Sequence, residues 1–133
     1  MQRILLAYDG GEPAQRALAM AADLATTFRA TLTVVSVIPV RPGRSPIDPW
    51  DDRSVHEAEL LEAGAILRAR GIEPELLEAA GDPAKTIERI ATERDVDAVI
   101  VGARGLSALG RALQGSVSEH VATHAATTVI VAR

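Results

Sequence analysis

Short apolar runs alternate with longer stretches of helical periodicity along the whole chain. The runs at residues 4–8, 31–38, 98–101 and 128–132 consist mostly of Ile, Leu, Val, Ala and Thr. Continuous apolar runs of this length are typical of strands that are covered on both faces. Strands that alternate with helices form a parallel sheet with right-handed crossovers and helices on both faces. The sequence therefore predicts a doubly wound α/β fold.

The predicted helices carry their apolar residues at helical spacing. On residues 12–28, the side chains predicted to face inward are Ala14, Ala17, Leu18, Ala21, Ala25 and Phe28. On residues 54–70, the side chains predicted to face inward are Val55, Ala58, Leu61, Ala65, Ile66 and Ala69. We expect Ser54 to cap this second helix and Gly71 to end it, because serine favours N-caps and glycine favours the position after a helix.

The rest of the pattern consists of a polar strand, a third helix and a loop. Residues 73–79 include Pro74, and because proline cannot donate to a ladder this strand belongs at a sheet edge. Asp82 is a suitable N-cap for the third helix. Residues 39–53 hold four prolines and the only tryptophan, which predicts a long, mobile surface loop. We expect one domain over residues 1–133, a three-layer αβα sandwich whose five-stranded parallel sheet has the order 3-2-1-4-5.

Composition narrows the class of protein. A net charge of −4 and a pI of about 5.3 give no basic footprint for nucleic acid or for an anionic membrane. The absence of cysteine excludes disulfides and thiolate metal sites, and it fits a reducing compartment. No apolar stretch approaches the roughly 18 residues that a membrane helix needs. We therefore expect a soluble, cytoplasmic protein.

Two unusual segments are predicted to meet in one crevice. In open α/β sheets, ligands bind beyond the carboxyl ends of the strands, where the winding direction reverses. In the order 3-2-1-4-5 this point lies between strands 1 and 4. Strand 1 is followed by Asp9 and Gly10, while strand 4 ends at Gly102 and leads into Arg104 and Gly105. Arg104 could reach a phosphate there, although a solvated loop arginine is an equal alternative.

The glycines after strand 4 are spaced as a phosphate-binding loop requires. Nine residues separate Gly105 from Gly115 and Ser116, which open the fourth predicted helix. Glycine lets backbone approach a ligand closely, and a helix start offers free N–H groups and a dipole that favour phosphate. The alternative is a loop in which the glycines serve turns and Ser116 only caps the helix.

The pattern G-x2-G-x9-G-[ST] resembles that of the ATP-binding universal stress proteins. Gly102, Gly105, Gly115 and Ser116 match it in full, and the resemblance extends from about residue 2 to residue 133. It implies an adenine nucleotide α-hydrolase-like fold and an ATP-binding protein that acts as a regulatory dimer in the stress response. The chain departs from many relatives at Gly11, where they carry serine.

The resemblance also implies which residues contact ATP and Mg²⁺. Asp9 would contact the ribose or a bound magnesium ion, and Gly102 and Gly105 would lie against ribose and phosphates. Residues that would border the adenine pocket are Ala7 and Val37. Residues that would hold the phosphates are Gly115, Ser116 and Val117. For Asp9, a simple N-cap of the first helix is an alternative that is compatible with ligand contact.

Absent motifs argue against a fast enzyme. The chain has no GxxxxGK[ST] motif, and its only lysine, Lys85, lies on the third predicted helix. Rapid phosphoryl transfer relies on a phosphate-bound cation, ordered magnesium and a positioned water. We therefore expect a nucleotide-responsive regulatory protein. The alternatives are a slow ATPase on the same scaffold and a dimerisation module without nucleotide.

The last predicted strand favours self-association. Residues 128–132 contain no proline, glycine or charge, so nothing blunts an unpaired ladder at the sheet edge. Pairing with a two-fold copy would satisfy the ladder in an isologous interface. Relatives in the family that the chain resembles commonly dimerise through this strand, so the resemblance also implies a homodimer.

Overall fold

The computed structural model describes residues 1–40, 53–102, 121 and 127–133. All strand pairs in its five-stranded sheet are parallel, and the strand order is β3-β2-β1-β4-β5. The strands are β1 (Arg3–Ala7), β2 (Thr31–Pro39), β3 (Glu75–Gly81), β4 (Ala98–Gly102) and β5 (Thr128–Ala132). The predicted order is therefore confirmed, with β3 at one edge of the sheet and β5 at the other.

Helices cover both faces of this sheet. The described helices are α1 (Glu12–Phe28), α2 (Arg53–Ala69) and α3 (Pro83–Glu93). One apolar core joins α1 and α2 to Ile4 and Leu6 of β1. A second core joins α3 to Leu5, because successive side chains of a strand point to opposite faces. The arrangement confirms the predicted three-layer α/β fold.

The centre of the sheet is fully buried. Ile4, Leu5 and Leu6 of β1 have no exposed surface, and neither do Val99 and Ile100 of β4. Both strands pair on two sides and are covered on two faces, which explains why their sequences read as continuous apolar runs. The carboxyl ends of β1 and β4 therefore emerge from a closely packed layer, which fixes their positions.

The buried face of α2 differs from the predicted one. The residues that face the core are His56, Leu60, Ala63, Gly64 and Leu67. The predicted face of this helix is largely on the outside, with Leu61 66% exposed and Ile66 39% exposed. Alanine and leucine occur on both sides of α2, so periodicity alone left the rotation of the helix ambiguous. On α1 the predicted face is buried except at its last residue, Phe28, which is 50% exposed.

Most predicted helix ends are confirmed. Gly71 adopts a φ of +80°, and its N–H donates to the Arg68 carbonyl at 2.9 Å, which ends the run of α2. Asp82 caps α3 by accepting a hydrogen bond from the Lys85 N–H at 3.0 Å. The prediction for Ser54 was wrong, because α2 begins one residue earlier and Ser54 lies inside it.

One boundary and two segments complete the comparison with the prediction. β3 begins at Glu75, so Pro74 precedes the strand and does not interrupt its ladder. Within the fourth predicted helix, Val121 is described; it is helical and buried. The proline-rich loop falls almost entirely on residues 41–52, which lie outside the described residues. Among the helices in the described ranges, none is long and apolar enough to span a membrane.

Candidate functional site

The carboxyl ends of β1 and β4 lie side by side at the centre of the sheet. Leu6 is opposite Ile100 in the register, so Tyr8 and Gly102 follow at the same level on neighbouring strands. On the other side of β1, the Tyr8 N–H donates to the Val35 carbonyl of β2 at 2.9 Å. This is the point where the strand order reverses, at which open α/β sheets bind their ligands.

Asp9 shapes the turn that joins β1 to α1. Its Oδ1 accepts a hydrogen bond from the Gly11 N–H at 3.0 Å, and Gly10 between them has a φ of +77°. The N-cap of α1 is Gly11, which has no side chain to cap the helix. Asp9 is therefore not the N-cap that was considered as an alternative. Its carboxylate holds a two-residue turn at the mouth of the crevice.

Gly102 is required by the packing of α1. A Cβ on Gly102 would lie 2.9 Å from both the backbone nitrogen of Ala14 and the carbonyl carbon of Pro13. These distances are shorter than van der Waals contact, so only glycine lets the first turn of α1 approach β4 this closely. The glycine thereby brings the start of α1 to the crevice. Whether Gly102 also contacts a ligand stays a prediction.

Ala7 and Val37 lie on one face of the sheet. Ala7 is opposite Val35 in the register, and Val37 is two residues further along the same strand. Both contribute to the core beneath α3, where Val37 is 1% exposed and Ala7 is partly buried. The structure thus brings together the two residues predicted to border adenine. Five other predicted site residues lie outside the described residues: Arg104, Gly105, Gly115, Ser116 and Val117.

Sequence reasoning missed a group of polar side chains beside this crevice, which we name the α2 polar cluster. Its members are Tyr8, Ser36, His56, Glu59 and Glu62. The Oγ of Ser36 and the Nδ1 of His56 are 2.7 Å apart, and both residues are buried. The Oε2 of Glu59 lies 3.8 Å from the same nitrogen. The hydroxyl of Tyr8 donates to the Oε1 of Glu62 at 3.2 Å.

Burial and neighbouring charge favour the protonated forms of two cluster members. Burial, followed by the negative charges of Asp9 and Glu62, raises the pKa of Glu59 to about 7, although a hydrogen bond from Ser36 opposes the shift. Burial and the Glu62 carboxylate raise the pKa of the Tyr8 phenol well above its ordinary value. Tyr8 therefore stays neutral at physiological pH, and Glu59 changes charge close to neutral pH.

The Ser36, His56 and Glu59 side chains do not form a hydrolytic triad. In such a triad the nucleophile and the carboxylate contact different ring nitrogens of the histidine. Here Ser36 and Glu59 both approach Nδ1, at 2.7 and 3.8 Å. Ser36 is also fully buried, so a substrate could not reach its hydroxyl. The arrangement is suited to holding a proton and does not suit acyl transfer.

The described residues supply only part of a magnesium site. Within those ranges, no three side chains among His, Asp and Glu are grouped so as to hold a metal ion. Asp9 supplies one carboxylate at the crevice, and its Oδ1 already accepts from Gly11. A magnesium ion at this position would therefore depend on oxygen atoms from a bound phosphate or on residues outside the described ranges.

One signal in the sequence could have revealed the cluster. His56, Glu59 and Glu62 recur at intervals of three residues, which places them on one side of a helix. Charged side chains that lie beside the buried face of a helix either face solvent or contact a polar partner within the protein. The partner, Ser36, lies 20 residues away in sequence, so only the packing of α2 on β2 reveals the contact.

Comparisons with known proteins agree with one another. The model of the universal stress protein family matches residues 1–133. The protein named "Universal stress protein in QAH/OAS sulfhydrylase 3'region" from Thermus aquaticus is 33% identical over 133 residues, which cover 98% of this chain and 97% of that protein. The Bacillus subtilis stress response protein NhaX is 25% identical, with coverage of 98% and 97%.

Solved structures give the same result. The universal stress protein from Archaeoglobus fulgidus in complex with dAMP has a TM-score of 0.77 and 27% identity, and the match covers 100% of this chain and 98% of that one. A universal stress protein in complex with cAMP has a TM-score of 0.77 and 25% identity, with coverage of 99% and 97%. The chain is therefore similar, over its whole length, to proteins solved with adenine nucleotides.

Proposed function

Because the chain belongs to the universal stress protein family, we propose that it binds an adenine nucleotide, with ATP as the first candidate, in the crevice between β1 and β4. The observation that carries this proposal is the juxtaposition of Asp9 and Gly102 at the switch point, where the start of α1 is also held. Relatives of the same fold that were solved with dAMP and cAMP support it.

The predicted site residues would contact different parts of the nucleotide, according to their chemistry. Ala7, which is partly buried, would offer an apolar surface to the base, and Val37 would support that surface from beneath, since its own side chain is 1% exposed. Asp9 is an acceptor for ribose hydroxyl groups, or a contact for magnesium that arrives with the phosphates. Gly115, Ser116 and Val117 would hold the phosphates, because a helix start with a hydroxyl group favours anions. Magnesium, when bound, would offset the negative charge of the phosphates. No catalytic step that depends on magnesium is proposed.

We further propose that nucleotide occupancy regulates a homodimer in the cytoplasm, and that this regulation outweighs turnover. The single lysine, Lys85, is on α3, where its N–H takes part in the helix cap. The sequence contains no phosphate-binding loop lysine of the kind that fast NTPases use. Turnover should therefore lie well below the ~1–100 s⁻¹ of dedicated kinases.

Calorimetry with ATP and magnesium tests the proposal. Gly115→Val should fill the phosphate space and Asp9→Asn should weaken ribose or magnesium contact, so both variants should lose affinity. Asp95→Asn is the matched control, because Asp95 is 93% exposed and lies at the amino end of β4. Gly102→Ala is unsuitable, since it would disturb the packing of α1.

Two results would contradict the proposal. Equal ATP affinity in the wild type and Gly115→Val would show that the phosphates do not bind at this loop. Turnover of several ATP per second, lost in Asp9→Asn, would instead make the protein an enzyme. Circular dichroism and thermal unfolding of each variant distinguish loss of binding from loss of fold.

A further inference from the structure

The one phenylalanine of the chain, Phe28, is 50% exposed at the end of α1, although the pattern of that helix predicted it to face inward. Met20 on the same helix is 40% exposed. Leu24 lies between them and is only partly buried against the core. These three apolar side chains recur at intervals of four residues, so they form one ridge on the surface of the helix, which we name the α1 ridge.

Contacts with β5 show which way the α1 ridge faces. Arg16 lies one helical turn before Met20, and its Nε donates to the carbonyl of Arg133, directly after β5, at 2.5 Å. Leu24 packs against the same core as Ile130 of β5. The ridge therefore follows the edge of the sheet at which β5 lies.

The other side of α1 lies next to α2. Arg70 follows α2, and its guanidinium group donates to the carbonyl of Ala19 at 3.4 Å and to the carboxylate of Asp23 at 2.5 Å. Of the two described helices that cover this face of the sheet, α1 is thus the one beside the β5 edge. A chain that pairs with β5 would meet the α1 ridge at the same time.

The edge of β5 is too small to hold two chains together by itself. The strand has five residues, so its edge is about 17 Å long and, with its side chains, about 10 Å across. Stable interfaces bury roughly 800 Å² on each partner, which is several times the area of such an edge. A dimer that forms through β5 therefore needs further contacts beside the ladder.

An isologous pair of β5 strands would bring two α1 ridges towards each other. A two-fold axis perpendicular to the sheet makes the paired strands antiparallel and leaves both copies of α1 on the same face. Since α1 packs on β4 at Gly102, the two helices would be separated by about three strand spacings, or about 14 Å. Helices in direct contact lie about 8–10 Å apart. Large side chains from both ridges are therefore suited to fill the gap.

We propose that the α1 ridge is a docking surface for a second copy of this chain, in which Met20, Leu24 and Phe28 pack against the ridge of the copy beside the β5 ladder. The inference rests on the homodimer of the proposed function and names the surface that supplies the missing contact area. The three side chains carry no charge, and aromatic residues and methionine are enriched at interfaces, whereas charged residues are depleted at their centres.

Cross-linking tests the position of the ridge, because the chain has no cysteine of its own. A short bismaleimide should join two copies of Met20→Cys into a covalent dimer. Leu61→Cys is the matched control: α2 packs on β2, and about seven strand spacings, more than about 30 Å, would separate the two copies of β2. Cross-linking of Leu61→Cys without cross-linking of Met20→Cys would overturn the inference.

Sedimentation over a range of concentrations measures the contribution of the ridge to the dimer. Phe28→Glu and Met20→Glu should each raise the Kd of the dimer at least about tenfold, because each copy would bury a charge against apolar side chains. Phe28→Leu keeps an apolar side chain and should retain the dimer, as should Leu61→Glu on the outer face of α2. A dimer whose Kd is the same in Phe28→Glu, Met20→Glu and the wild type would overturn the inference.

Calorimetry with ATP separates this inference from the nucleotide site. A wild type that binds ATP as a monomer would keep the site and overturn the docking surface. A dimer that is weakened by Phe28→Glu and does not bind ATP would support the docking surface and refute the site. Circular dichroism and thermal unfolding of each variant distinguish a dissociated dimer from an unfolded chain.

Discussion

At the level of single residues, the Glu59 carboxyl group makes the stability of the fold depend on pH. Its pKa is about 7 in the folded chain against an ordinary value of 4.5, so the folded state binds more protons between these values. The free energy of unfolding should therefore fall as pH rises from about 4.5 to about 7. The direction is opposite to that of a salt-bridged carboxylate, because burial here penalises the charged form.

Glu59→Gln should remove this dependence. At about pH 8 the variant should be more stable than the wild type by roughly 1–2 kcal/mol, a value reduced for the solvent that reaches the half-buried group. At about pH 4 the two proteins should be similar, because Glu59 is then protonated in both the folded and the unfolded state. Urea unfolding at both pH values measures the difference. Parallel stability curves for the wild type and Glu59→Gln would show that Glu59 has an ordinary pKa.

At the level of elements, adjacent leucines on α2 report which side of the helix is buried. Leu60 is 6% exposed and belongs to the core beneath α1 and α2, whereas Leu61 is 66% exposed. Leu60→Ala should cost about 2–4 kcal/mol of unfolding free energy, since it leaves a cavity in that core. Leu61→Ala should change stability by less than about 0.5 kcal/mol. Chemical denaturation of both variants checks this, and a larger loss for Leu61→Ala would mean that α2 is rotated.

The same helix shows where sequence reasoning reaches its limit. The strand order and the Asp82 cap were predicted from the sequence pattern, and the structure confirms both. The edge position of β3 is also confirmed, although Pro74, from which it was predicted, precedes the strand. The rotation of α2 depends on the neighbours it meets, and a buried histidine breaks the apolar pattern on its inner face. His56 is tolerated there because Ser36 supplies a hydrogen bond. For the candidate site, Asp9 and Gly102 could be predicted to meet, whereas the packing role of Gly102 required the approach of α1.

At the level of the whole molecule, the two edges of the sheet are protected differently. β3 carries Glu75 and Glu78, and Glu75 forms an ion pair with Arg94 at the end of α3. Charges of this kind discourage pairing with another chain. β5 has no charged residue, and Val131 on it is 36% exposed. Among the described residues, the edge that no charge protects is therefore the one at β5, opposite the charged edge of β3.

This asymmetry predicts a homodimer in which β5 pairs with its two-fold copy. Val131→Lys should yield monomers, because it places a charge on the exposed side of the paired strands while the buried Ala132 stays in place. Leu61→Lys, which adds the same charge to the outer face of α2, should leave the dimer intact. Light scattering at micromolar concentration measures the mass of each protein. A wild-type mass equal to one chain of 14.0 kDa would exclude the dimer, and dissociation caused by Leu61→Lys alone would move the interface from β5 to α2.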